Sequence, residues 1–214
     1  MAKSSESRTP RQPRTKLVPE QMPSEPRNPL LLLAVAAGLC WACVLALLFS
    51  GELSPTAPFW EAPRIIFYIL VLAAAFLTFV PIQRMLQVPR LAVEGVLGTT
   101  LLLYCLAFVP APNAWLLSPP ETPVYLIFGA ALFWSVSSAA LAPIFALGKR
   151  FFHQRARKYD LRRARRQAHE VGGLIVAWAT LASLRLFTPL TAILVVLIFI
   201  VIELLFLSFV EAEV

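Results

Sequence analysis

Six apolar stretches, each long enough to cross a bilayer and separated by connections whose basic charge alternates, constrain this chain more than any other feature. They lie at 30–49, 65–81, 91–109, 124–147, 171–187 and 189–210. A spanning helix needs about 20 apolar residues to cross roughly 30 Å of hydrocarbon. Of the 19 Lys and Arg, 17 fall in an N-terminal tail (Lys3, Arg8, Arg11, Arg14, Lys16, Arg27), a short connection (Arg84, Arg90) and the segment 149–166. The other two, Arg64 and Arg185, sit at the edges of connections on the opposite side. Short-loop Lys/Arg bias sets membrane orientation. The expected fold is therefore all-α: a polytopic integral membrane protein, a six-helix transmembrane bundle with both termini cytoplasmic, in a plasma (inner) membrane.

A mean hydropathy of +0.73 excludes an ordinary water-soluble domain. The domain reading is a tail at 1–29, a helical domain at 30–210 with a basic cytoplasmic loop at 148–170, and a short acidic C-terminus at 211–214. The tail carries six prolines and almost no large apolar side chains, too little to offset the entropy of ordering, so it is expected to be disordered. The first apolar run follows 29 polar residues and is longer than a secretory core of about 7–15 residues, which makes it a retained helix. The connections 50–64 and 110–123 are rich in proline and hold Phe59, Trp60 and Trp115, which suit the outer interface. A faint likeness between the segments that follow Pro63 and Pro123 carries little weight. The run 171–210 would reach about 60 Å as one helix, so Thr188 as N-cap and Pro189 as first helical residue are expected to break it into a hairpin.

Three features bear on function. Ala34, Gly38, Ala42, Ala46 and Ser50 recur every four residues, a smooth ridge of the kind that lets helices in lipid approach closely. Ala131, Ser135 and Ala139 repeat the device before Pro143, which is expected to bend the fourth helix. The ridges are expected to pack against each other within the monomer, with a docking face for a partner's helix as the alternative. Second, Glu203 is the only acid well inside an apolar run, seven residues or about 10 Å from its boundary. Thr99, Thr100, Ser138, Trp178 and Thr180 fall at similar depth as hydrogen-bonding candidates, and Lys149 or Arg150 as snorkelling partners. An ionisable group in the membrane marks a candidate functional site. Third, the segment 148–170 holds Lys149, Arg150, Arg155, Arg157, Lys158, Arg162, Arg163, Arg165 and Arg166. These residues are suited to anionic headgroups or serve only to fix topology. Leu161, Ala164, Ala168 and Val171 recur at helical spacing, so the fifth helix is expected to begin within this segment.

Cys40 and Cys43 share a helix face, and Cys105 of the third helix falls at similar depth, but thiols in apolar surroundings are inert. His153 and His169 are the only histidines, and neither lies in a run. No phosphate loop, nucleophile elbow or metal-ligand spacing is present, and nothing in the sequence calls for a cofactor. Nucleic-acid binding lacks a recognition module. The leading expectation is a non-enzymatic membrane protein that packs with or stabilises a membrane partner or forms a homo-oligomer. The alternatives are a small transporter or channel using the Glu203 region and, third, an intramembrane thiol oxidoreductase.

Overall fold

The computed structural model describes residues 28–54, 58–109, 121–151 and 160–212. The tail up to residue 27, most of the connection 110–123 with Trp115, and Arg155, Arg157, Lys158 and His153 lie outside the described residues. All regular structure among those described is helical: α1 (Asn28–Phe49), α2 (Ala62–Leu86), α3 (Leu91–Phe108), α4 (Glu121–Phe151), α5 (Leu161–Ser183) and α6 (Pro189–Ala212). Helices satisfy their own backbone polar groups, as lipid requires. Five of the six, all but α5, are long and apolar enough to cross a membrane.

The helix ends depart from the apolar runs for identifiable reasons. α2 continues through Pro81 to Leu86 rather than stopping at 81, because Gln83 and Arg84 end the apolar run without ending the helix. Gln83 Oε1 then accepts from the backbone N of Ala92 at 2.7 Å, fastening the α2–α3 turn, where Gln87 and Arg90 adopt positive φ. α4 likewise runs on at both ends, with Pro143 inside it. α5 starts at Leu161, capped by Asp160 Oδ1, which accepts from the backbone N of Arg163 at 3.1 Å. It stops at Ser183, so the expected segment 171–187 corresponds only to its second half. At the next turn Thr188 Oγ1 accepts from the backbone N of Thr191 at 3.2 Å, with Pro189 opening α6 as the sequence predicts.

The helices stand in a row in chain order: α1 packs on α2, α2 on α3, α3 on α4 and α4 on α5, while α6 touches α5 more sparingly. The contacts thus run chiefly between successive helices. None of the apolar stretch of α6 is buried. Two clusters lie towards opposite ends of the helices. One joins Val44, Phe67, Val71, Leu103 and Phe108 across α1–α3, and the other joins Val88, Leu91, Leu141, Ala164 and Ala168 at the opposite end. Arg64 is 7% exposed in the first. It donates to the carbonyl of Ser54 and lies 4.6 Å from the Phe108 ring centroid, so this isolated arginine ties a connection to α2 and α3.

Glycine sets the spacing in the middle of the row. A Cβ on Gly98 of α3 would lie 2.7 Å from the Ser135 backbone N and 2.8 Å from Trp134 Cβ of α4. One on Gly172 of α5 would strike Ser137 Oγ and come within 3.0 Å of the Phe133 carbonyl. Backbone contact of this kind is what small residues permit. Gly98→Ala is expected to destabilise the fold by about 1–3 kcal/mol through overpacking, measured as a lower melting temperature in detergent. Gly38→Ala, whose added carbon meets nothing within 4 Å, should leave it unchanged.

Candidate functional site

The first half of α5 carries charge on three sides and a buried Ala164–Ala168–Gly172 stripe against α4 on the fourth. Arg163, Arg165 and Arg166 each reach a different neighbouring helix. Arg165 donates to Glu94 Oε1 in the first turn of α3 at 2.7 Å, where the helix N-terminus also favours a carboxylate. Arg166 Nη2 donates to Glu203 Oε1 of α6 at 2.9 Å, its Nε lies 3.6 Å from Glu170 Oε1, and its guanidinium is 5.3 Å from the Phe206 ring centroid. Gln167 Nε2 donates to the same Glu203 oxygen at 3.2 Å. The Arg163 guanidinium packs against Gly148 of α4.

Two carboxyl groups thus share one arginine. Glu203 lies 2.9 Å and Glu170 3.6 Å from its guanidinium, so the two acids converge from different helices. Burial pushes the Glu170 carboxyl up to about 7, the adjacent Glu203 adds to the rise, and Arg166 opposes it. Above the cluster opens a cleft of about 590 Å³, walled by Ile144 and Leu147 of α4, Leu174 of α5, and Val196, Phe199 and Ile200 of α6. A second cleft of about 630 Å³ lies between α4 and α5 towards the opposite end, lined by Tyr125, Gly129, Phe133, Trp134, Gly173 and Thr180 among others.

Of the residues expected around Glu203, three bond elsewhere. Thr99 Oγ1 pairs with Ser135 Oγ at 3.1 Å, Thr180 Oγ1 donates back to the Val176 carbonyl at 2.8 Å, and Trp178 Nε1 donates to the Ala192 carbonyl at 3.4 Å. Ser138 is buried in α4, and Thr100 Oγ1 is buried without a partner among the described residues. Depth along a run gives height but not azimuth, and the cation beside Glu203 is Arg166, not Lys149 or Arg150. The basic set proposed for headgroups divides accordingly. Arg165 and Arg166 are taken up by Glu94 and Glu203, Lys149 lies 4.5 Å over the Phe145 ring, and Lys149, Arg150 and Arg162 are exposed.

The α1 ridge turns out otherwise than expected. Ala34, Gly38, Ala42, Ala46 and Ser50 are all exposed, while Ala37 and Val44 are buried towards α2 and Trp41 Nε1 donates to Thr78 Oγ1 at 3.0 Å. The two small-residue ridges therefore do not pack together within the monomer. On α4, Ala131 and Ser135 are covered and Ala139 is not. Cys43 is exposed on α1, Cys40 half-buried and Cys105 buried, all three as free thiols.

No family model, no curated protein and no solved structure matches this chain. The functional reading therefore rests on its own residues.

Glu94, Gln167 and Glu170 belong to the site but were missed in the sequence. Their signal was spacing: Arg166 and Glu170 stand four apart on a helix that begins ten residues before its apolar run. Glu203→Leu is expected to leave Arg166 and Gln167 without their acceptor. The cost is about 1–3 kcal/mol, read as a lower melting temperature in detergent. Thr180→Val, which removes only a bond within its own helix, should have little effect.

Proposed function

We propose that this chain is a non-enzymatic integral membrane protein that docks a spanning helix of a membrane partner along the outward face of α1. The observation that carries this is the exposed ridge from Ala34 to Ser50, which extends about 24 Å at 1.5 Å per residue. Lipid tails are as apolar as leucine, so spanning helices associate through close backbone packing, and a smooth ridge permits it. The chain's own helices leave the space over Gly38 open. Gly38→Leu fills that space without touching the fold. The expected result is loss of co-purifying partner in mild detergent with an unchanged melting temperature of the isolated chain. An unchanged set of co-purifying proteins would sink the docking reading.

The same reading places six spans in a plasma (inner) membrane, with both termini and the basic connections in the cytoplasm. The half of α5 after Glu170 covers only about 20 Å. Its crossing is supported by the partners that Glu94 and Glu203 supply to Arg165 and Arg166. Reporters fused after Asn28, Gln87, Asp160 and Val214 are expected to register as cytoplasmic, and those after Thr56 and Leu117 as external. An external reporter at Val214 would mean that α5 does not cross.

A second reading, a small transporter or channel, draws on the cleft of about 590 Å³ over Glu170 and Glu203. Reconstituted vesicles under an imposed pH gradient separate the two. The docking reading expects no flux, whereas flux abolished by Glu203→Gln in folded protein would favour transport.

A further inference from the structure

The α5–α6 junction has an arrangement that two ionised carboxylates cannot satisfy. Glu170 and Glu203 come from different helices, line one cleft and converge on the same guanidinium, 3.6 Å and 2.9 Å from Arg166. As carboxylates both are acceptors, and neither has a proton to give the other. Their surroundings supply too few donors to make up the difference. Arg166 Nη2 and Gln167 Nε2 both go to Glu203 Oε1, and Arg166 Nε stands 3.6 Å from Glu170 Oε1, beyond hydrogen-bonding reach. One oxygen of each acid, Oε1 of Glu170 and Oε2 of Glu203, is buried with no donor. Leaving buried acceptors unsatisfied is costly, and like charges sharing a site disfavour double ionisation.

We propose that Glu170 and Glu203 hold a single proton between them, making the α5–α6 junction a one-proton binding site beside Arg166. One proton gives one carboxyl a donor to offer the other. It also leaves one negative charge against the guanidinium of Arg166, the cation that contacts both carboxyls. The groups facing the pair are few. Arg166 contacts both acids from α5, Arg163 and Gln167 of α5 line the cleft beside them, and Val196, Phe199 and Ile200 line it from α6. From α4 come Ile144, Leu147, Gly148 and Phe151, none of them titratable. The proposal is independent of the α1 docking face.

The linkage has a definite sign. Burial and the neighbouring carboxyl raise Glu170 from an ordinary 4.5 to about 7, so between those values the folded state binds the proton and the unfolded state does not. Stability from this group is then fully present below about 4.5 and is lost as pH rises through about 7. The loss falls on α6, whose main polar tie at this end is the Arg166–Glu203–Gln167 contact.

The test is an infrared titration of the full chain in detergent, from about pH 5 to about pH 9, with melting temperature followed in parallel. A carboxylic-acid C=O band is expected to disappear near neutral pH while the melting temperature falls. Glu170→Gln should remove the band and flatten the stability profile. Glu203→Gln should move the step to lower pH, because Glu170 then has Arg166 to itself. Glu203→Asp, which restores a carboxyl on α6, should bring back a step closer to neutral. Wild-type protein with no carboxylic band near neutrality would overturn the proposal. So would a step that survives Glu170→Gln, or one left unmoved by Glu203→Gln, which would make Glu170 a lone buried acid.

Discussion

Backbone-to-backbone approach at two glycines governs this structure. Gly98 brings α3 against the main chain of α4 at Ser135, and Gly172 brings α5 against α4 at Phe133. In lipid, apolar side chains gain little by leaving one apolar medium for another, so contact quality rather than burial decides which helices adhere. The tight centre of the row is where the glycines are, and the loosely held member is α6, whose apolar stretch stays exposed. The polar contacts follow from it. Only because α5 lies hard against α4 does its charged half come within reach of Glu94 on one side and Glu203 on the other.

Much of this was legible in the residues. Five apolar runs coincide with helices long and apolar enough to cross a membrane. The Thr188–Pro189 break and the start of α5 inside the basic segment were marked by capping chemistry and by the spacing of Leu161, Ala164 and Ala168. Two things were not legible. Hydropathy registers where a chain is apolar, not where its helix stops, so α2 and α4 extend past their runs. Sequence depth also says nothing about azimuth. Thr99 and Thr180 share a height with Glu203 yet bond on other faces, and the small-residue ridge of α1 points away from the row.

Glu203 began as a solitary acid in an apolar run and proved to be one member of a compensated cluster. Isolated ions are expensive inside a membrane, and the usual resolution is pairing with groups that face inward. Here pairing takes a composite form, with a guanidinium, an amide and a second carboxyl around one acceptor. Such a cluster fixes rotation as well as depth, since it singles out one face of α6.

The four-residue step from Arg166 to Glu170 has a consequence for how the chain is made. Synthesis delivers α5 before α6, so for a time the guanidinium exists without Glu203. During that interval Glu170, one helical turn away, is a counter-ion already built into the same segment. It shields the arginine while the nascent helix enters a poorly solvating environment, and it surrenders part of that role once the last helix arrives. This carboxyl is the arginine's first companion in time.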